Sequence, residues 1–176
     1  GTATLTMVED MNDAIAPTIA WHSLVTSLDK SGVPKTGWAG ILTQASNGRK
    51  VDTHVSSSQA EETAKGVVSD ANVAFFASRG PGELLKGVHV PTLILQGTVD
   101  GLFTLNEGVE NYQQLHDQGT TVAMVWYCGG HGICLTDPGN VIDAGRMSIA
   151  WMDRYVKRDA STKRNGQSDQ RRTGHF

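Results

Sequence analysis

The sequence has little of what would place it in several broad classes of protein. Its 15 Lys and Arg residues nearly balance 18 Asp and Glu residues, for a formal net charge of −3. We therefore expect no nucleic-acid partner and no membrane-surface partner. No window approaches the roughly 20 apolar residues of a membrane span. The first residues lack the basic start and apolar run of a signal peptide.

Cysteine is also scarce: the only two are Cys128 and Cys134, and they flank His131 in the pattern C-x2-H-x2-C. Two cysteines do not fix the redox compartment, so the localisation stays open. Three interpretations of the pattern remain, namely a disulfide that braces the loop, two free thiols and a zinc site. The zinc interpretation is the weakest, because structural zinc sites use separated pairs of ligands. We expect no metal and no other cofactor.

What is present predicts one domain with a parallel α/β sheet. Apolar strand-like runs are expected at 13–20, 88–96 and 121–127, and helical periodicity is expected at 106–118 and 141–156. Between the first two strands, residues 22–62 are rich in Gly, Pro, Ser and Asn, which indicates an irregular or short-helical insertion. Ser58 followed by Glu61 predicts the start of a helix.

Only about three strands can be placed, and this is few for a free-standing sheet. The chain is therefore expected to be a piece of a larger domain. The open sheet edge also favours self-association, so an oligomer is one expected state.

An acid and a histidine follow the last two predicted strands. Asp100 comes after the run VPTLILQGTV, and His131 lies between Gly130 and Gly132 after VAMVWYCG. The carboxyl ends of parallel strands meet at one edge of a sheet, where catalytic groups collect. The order acid then histidine is that of hydrolases in which a nucleophilic serine precedes both.

The serine itself is missing from this pattern. No Gly-x-Ser-x-Gly sequence occurs anywhere in the chain. Neither the run Ser56–Ser58 nor Ser78 has the required glycine spacing. We therefore expect the nucleophile to lie upstream of Gly1, outside this sequence.

Several longer motifs strengthen this interpretation. The segments DAIAPTIAWHSL, GVPKTGW, FFASRGP, VPTLILQGTVDGLF, WYCGGHGICL and AWMDRYVK together resemble the C-terminal part of an α/β-hydrolase. More narrowly, the chain looks like the branch that contains Xaa-Pro dipeptidyl-peptidases and cocaine-esterase-like acyl hydrolases. It departs from that branch in lacking the elbow serine, the early strands and a recognisable β-sandwich after the last helix.

The resemblance implies an α/β-hydrolase fold, a parallel sheet with a cap insertion that is incomplete at its N-terminal side. It divides the chain into the end of the nucleophile helix and the following strand (1–21), the cap (22–87), the C-terminal part of the sheet (88–158) and a polar tail (159–176). The implied function is part of a serine hydrolase of the peptidase or esterase type, acting on a small ester or peptide. The missing N-terminal part of the same domain would be its partner.

The resemblance also implies roles for single residues. Asp100 would orient His131, and His131 would act as the general base of a Ser-His-Asp mechanism. Four further residues are expected by position to line the substrate pocket, although ordinary packing is an equal alternative: Trp21, His22, Trp38 and Phe103. Two other classes of function stay open. One is a non-catalytic, hydrolase-like binding module, and the other, more distant, is a small metal-binding domain built on Cys128, His131 and Cys134.

Overall fold

The computed structural model describes residues 13–46, 48–136 and 143–157. Within these ranges the chain has a mixed α/β fold with a small parallel sheet. The predicted tail at 159–176, the helix end expected within 1–12 and the start of the segment 141–156 lie outside the described residues.

The insertion after the first strand-like segment is largely helical. It begins with α1 (Leu24–Leu28), whose first turn is capped by the Ser23 hydroxyl, an acceptor for Val25 N–H. A short hairpin follows, formed by β1 (Asp29–Lys30) and β2 (Val33–Pro34). Its two turn residues, Ser31 and Gly32, both have positive φ, as a two-residue hairpin turn of type I′ requires.

Three helices and one 3₁₀ turn complete the insertion. They are α2 (Thr36–Ala45), α3 (Thr53–Lys65), α4 (Asp70–Ala77) and the 3₁₀ turn Gly82–Gly87. Of the two predicted alternatives for this region, irregular or short-helical, the structure has the short-helical one.

The sheet combines two strands with a strand-like segment. Strands β3 (Thr92–Gly97) and β4 (Val122–Tyr127) pair in parallel along their whole length. On the other edge of β3, residues 15–18 form two parallel bridges, from Ile15 to Thr92 and from Thr18 to Leu95. Because β3 lies in the middle, all six of its residues are buried.

Helices cover both faces of β3, so its side chains alternate between two cores. Ile94 packs with Leu115 of α5 (Leu105–Asp117) and with residues that follow the insertion. Leu93 and Leu95 face the other way and pack with residues of α6 (Ala144–Tyr155). This three-layer arrangement fixes the height and direction of the loops that leave β3 and β4.

Three features of the elements differ from the prediction. The helix expected from Ser58 begins instead at Thr53, because the Asp52 carboxylate accepts a hydrogen bond from His54 N–H and caps it there. The strand expected from residue 88 begins at Thr92, after a turn that follows the 3₁₀ segment. The composition of β4 predicts a buried strand, but Trp126 on it is 51% exposed, since β4 has no further strand beside it among the described residues.

Among the described residues, no helix is both long enough and apolar enough to cross a membrane.

Candidate active site

The loops that carry Asp100 and His131 follow adjacent strands that end at the same position in the sheet register. Gly97 ends β3 directly beside Tyr127, the last residue of β4, and Thr98 N–H donates to Tyr127 C=O at 2.9 Å. The two loops then touch closely. A Cβ on Gly97 would lie 2.1 Å from the Gly129 carbonyl oxygen, so only glycine allows this approach.

Asp100 and His131 are in direct contact. One carboxylate oxygen of Asp100, Oδ2, lies 2.9 Å from His131 Nδ1 and accepts His131 N–H at 3.1 Å. The other oxygen, Oδ1, accepts the backbone N–H groups of Leu102 and Phe103, each at 2.9 Å. The Asp100 side chain is fully buried. Four contacts therefore surround a carboxylate that has no access to water, which holds it in one orientation.

This geometry fixes the tautomer of His131. Because Asp100 Oδ2 is an acceptor, the imidazole proton lies on Nδ1, and Nε2 is left with a lone pair. The His131 side chain remains 27% exposed, so the imidazole is not sealed off from solvent. An imidazole held in this way by a buried carboxylate can take a proton at Nε2 and return it.

Gly130 makes the contact between acid and histidine possible. It adopts a φ of +127°, and a Cβ there would lie 2.5 Å from Asp100 Cβ and 2.6 Å from Asp100 Oδ2. Both the backbone conformation and the space therefore require glycine at this position. Gly129, with φ of +153°, turns the chain just before it.

Two of the four predicted pocket residues lie beside His131, and a third packs on one of these two. The ring of Phe103 meets the imidazole edge-on with centroids 5.0 Å apart, and Trp38 does the same at 6.0 Å. Trp21 in turn packs on Phe103 at 5.0 Å. Two strand-end loops and the insertion thus contribute to one aromatic cluster, which consists of Trp21, Trp38 and Phe103 around His131.

The fourth predicted pocket residue, His22, is not part of this cluster. Its Nδ1 lies 2.9 Å from Asn111 Oδ1, and its backbone N–H donates to Glu107 Oε2 at 2.9 Å. The same buried Glu107 also accepts Ser23 N–H and the Thr26 hydroxyl, at 2.9 and 2.8 Å. Glu107 therefore fixes the point where the chain leaves the sheet for the insertion. Sequence reasoning missed it, although an acid on the inward face of an amphipathic helix is a usable signal.

Lys35 is a second residue at the site that sequence reasoning did not single out. Its Nζ donates to the carbonyl oxygens of Gly101 and Leu102, each at 2.9 Å. Burial lowers the pKa of Lys35, and the nearby carboxylates of Glu107 and Asp100 oppose this effect. The contact joins the insertion to the acid loop, which we define as residues 100–103. No local pattern predicts a contact between residues so distant in sequence.

The histidine loop is closed by a covalent bond. Cys128 and Cys134 form a disulfide with their Cα atoms 5.4 Å apart. This is one of the alternatives that the sequence left open, and it brackets His131 on both sides. Among the described residues, no group of three or more His, Cys, Asp and Glu side chains is arranged to hold a metal ion.

Two further features complete the surroundings. Burial raises the pKa of Tyr127, and the negative charge of Asp100 adds to this effect.

A polar groove on the surface of α5 is lined by His22, Lys86, Glu110, Gln113, Gln114, Asp117 and Gln118. Neither Asp100 nor His131 lines it, and it offers no nucleophile–base pair. We therefore place the candidate chemistry at the strand ends.

Comparison with known proteins gives a fold and no more. No protein-family model and no curated protein sequence matches the chain. The uncomplexed structure of an acylaminoacyl peptidase from Pyrococcus horikoshii is similar, with a TM-score of 0.54 and 16% identity over 88% of this chain and 22% of that one. The orthorhombic crystal form of that peptidase gives a TM-score of 0.45 and 17% identity over 73% and 18%. This chain thus spans about a fifth of the peptidase's length. The likeness to the uncomplexed structure supports an α/β-hydrolase-like fold.

Proposed function

We propose that this chain is the C-terminal part of the catalytic domain of a serine hydrolase that cleaves an ester or amide. The observation that carries the proposal is the 2.9 Å contact between buried Asp100 Oδ2 and His131 Nδ1 at the ends of adjacent parallel strands. Buried acid–histidine pairs of this kind serve catalysis in hydrolases of several folds. The α/β-hydrolase-like fold supports the proposal.

In this mechanism the nucleophile is a serine outside the given sequence. His131 Nε2 takes the serine proton as the hydroxyl attacks the substrate carbonyl. Asp100 keeps the proton on Nδ1 and stabilises the imidazolium that forms. His131 then donates the proton from Nε2 to the leaving alcohol or amine. Water hydrolyses the acyl-enzyme by the same steps in reverse order.

The finer proposal concerns the substrate. The rings of Trp21, Trp38 and Phe103 provide apolar surroundings next to His131. They favour a compact apolar group beside the scissile carbonyl, because an apolar group that packs against these rings excludes water from them. An Xaa-Pro peptide and a small acyl ester, which the sequence motifs suggest, both have this feature. Turnover of Xaa-Pro anilides against short-chain aryl esters by the natural parent protein would decide between them.

The experiment that tests the proposal is active-site labelling with a serine-directed fluorophosphonate, followed by peptide mapping. It uses the natural parent protein and this chain in parallel. We expect the parent to be labelled at one serine outside these residues, and this chain to remain unlabelled.

Variants of the parent then connect the labelled serine to this site. Asp100→Asn should slow labelling and turnover by roughly 10⁴-fold, because the imidazole is then held in the wrong tautomer. His116→Gln, on the exposed surface of α5, is the matched control and should behave like the wild type. Near-normal kinetics in a folded Asp100→Asn protein would remove the acid from the mechanism. If neither protein is labelled, a non-catalytic binding module becomes the better proposal.

A further inference from the structure

The acid loop is held from several directions at once. Asp100 Oδ1 accepts the N–H groups of Leu102 and Phe103, and the Phe103 carbonyl oxygen accepts Gln96 Nε2–H at 2.7 Å. The two remaining carbonyls, those of Gly101 and Leu102, both accept from Lys35 Nζ. Every carbonyl from 101 to 103 thus has a side-chain donor, and the donor for two of them comes from the insertion.

Lys35 is itself well anchored in the insertion. Its backbone N–H donates to Leu28 C=O at 2.7 Å, which attaches it to the end of α1. Its carbonyl oxygen accepts Trp38 N–H at 2.9 Å and Ala39 N–H at 3.1 Å, so helix α2 starts from it. One residue therefore contacts both the acid loop and the helix that carries Trp38.

Trp38 connects the same assembly to the histidine. Its indole meets the His131 ring edge-on, and its Nε1 lies 3.5 Å from where a Cβ on Gly101 would be. A displacement of Lys35 would move Trp38 and free the carbonyls of Gly101 and Leu102 together. The electrostatic setting agrees with this role, because Lys35 is attracted by the carboxylates of both Asp100 and Glu107.

We propose that Lys35 is a positioning residue for the Asp100–His131 pair, acting through its hydrogen bonds to the carbonyls of Gly101 and Leu102. It makes the geometry of the acid depend on the placement of the insertion. Its catalytic meaning rests on the proposed function, whereas its structural effect does not. The two can therefore fail separately.

The structural effect is measured by NMR on this chain, without any activity assay. Two signals report the geometry: the low-field proton on His131 Nδ1, assigned through its change in Asp100→Asn, and hydrogen exchange of the Leu102 and Phe103 amides. In Lys35→Met we expect the low-field proton to broaden and these two amides to exchange at least about tenfold faster, because the loop opens locally. Exchange at Leu93 and Leu95 in β3 reports global stability and should change little.

Matched variants distinguish a specific role of Lys35 from the general loss of one positive charge. Lys35→Arg retains charge and donors and should restore most of the protection. Lys50→Met removes a cation from the exposed surface of the same insertion and should leave both signals unchanged. If Lys35→Met does not fold, Lys35→Ala, which also removes the donor, is measured in the same way. Unchanged exchange at Leu102 and Phe103 in a folded Lys35→Met or Lys35→Ala protein would overturn the proposal. So would equal acceleration in the acid loop and in β3, since that indicates a general loss of stability.

The catalytic meaning is measured in the natural parent protein. Lys35→Met should lower kcat roughly 10-fold to 100-fold with little change in KM, because the reacting groups are displaced while substrate contacts remain. If the NMR effect occurs and the parent has no hydrolase activity, the proposed function fails and the positioning role stands. If the NMR effect occurs and kcat in an active parent does not fall, Lys35 positions the loop without consequence for catalysis, and the catalytic part of the proposal is overturned.

Discussion

The acid loop and the insertion differ in whether their buried polar groups are hydrogen-bonded. Asp100 has hydrogen-bond contacts at both carboxylate oxygens. In the insertion, Ser27 Oγ, Asp29 Oδ1 and Glu62 Oε2 are buried without a partner among the described residues, and in the sheet only Gln96 Oε1 shares this condition. A fully bonded polar group rigidifies its surroundings, whereas an unbonded one costs stability. The comparison indicates that rigidity is concentrated where the histidine is held.

The sheet and the insertion also differ in how deeply their side chains are buried. Strand β3 is buried along its whole length between two apolar clusters. Helix α2 of the insertion has no buried residue. Its Ile41 and Leu42 are exposed. The insertion thus depends more on individual polar contacts, such as those of Lys35 and Glu107, than on a core of its own. Regions of this kind open at lower free energy than a sheet does.

Among the changes that test this comparison, the largest effect is expected from one added methyl group in the acid–histidine contact. Gly130→Ala places a Cβ against Asp100 and forces an unfavourable backbone conformation. We expect the Asp100–His131 contact to break and kcat/KM of the parent to fall roughly 10²-fold to 10³-fold. The low-field His131 proton in this chain should disappear as well.

Gly119→Ala is the control for that experiment. Gly119 also has a positive φ, of +84°, but no atom lies within 4 Å of the place that a Cβ would occupy. It should lose stability through backbone strain alone and retain the low-field proton. An intact Asp100–His131 signal in Gly130→Ala would show that the acid loop is less tightly built than its contacts indicate.

The second effect is removal of the Cys128–Cys134 disulfide by a double change to serine. The bond closes a short loop around His131. We expect a loss of about 2 kcal/mol in the free energy of unfolding, because the unfolded chain gains freedom. Kinetic activity of the parent should fall roughly tenfold as His131 becomes less well placed. Urea unfolding and parent kinetics measure the two changes.

Thiol counting under denaturing, non-reducing conditions tests the premise of that prediction. The disulfide predicts no free thiol in the untreated chain and two after reduction. Two free thiols in the untreated chain would mean that the histidine loop has no covalent brace.

The smallest expected effect concerns Glu62, a buried carboxyl group of the insertion. Burial, with a contribution from Asp29, raises the pKa of Glu62, so the folded state holds this proton more tightly than the unfolded state. The associated stability is complete below the ordinary glutamate pKa and is lost as pH rises through the raised value. Glu62→Gln, which stays neutral, should therefore be more stable than the wild type near pH 7. Each unit by which folding raises the pKa corresponds to about 1.4 kcal/mol in the free energy of unfolding. Urea unfolding from about pH 4 to pH 7 is the measurement.

Glu61→Gln, one position earlier on α3, should show the opposite sign. The N–H of Ser69 and the Asn72 side chain hold the pKa of Glu61 below its usual range. Its stability contribution is present above the ordinary pKa and is lost as pH falls. Glu61→Gln should therefore be the less stable protein near pH 7. Equal pH dependence of the two variants would mean that the folded protein does not shift the pKa values of Glu61 and Glu62 in opposite directions.

The sequence predicted the elements whose side chains have a clear period. Strands β3 and β4 and helix α5 lie within a few residues of their predicted positions, because burial on both sides or on one face leaves a pattern in the sequence. The placement of Asp100 and His131 followed from the strand ends. Their roles, and those of Trp21, Trp38 and Phe103, stay predictions until the kinetics are measured.

The insertion was harder to predict for physical reasons. Helix α2 has no buried stripe and no side-chain hydrogen bond at its start, so neither periodicity nor capping marks it. Helix α3 starts at a cap formed by Asp52, whereas Ser58 and Glu61, which look like a start, lie in its interior. The contacts of Lys35 and Glu107 join segments more than 60 residues apart, and no local pattern encodes them.

The edge-on contact between Trp38 and His131 gives the molecule an optical property. Their ring centroids are 6.0 Å apart, close enough for a cationic imidazole to perturb the indole electrons. An imidazolium quenches indole emission more strongly than a neutral imidazole does. The fluorescence of Trp38 should therefore respond to the charge on His131, and it can be followed once the three other tryptophans, Trp21, Trp126 and Trp151, are replaced.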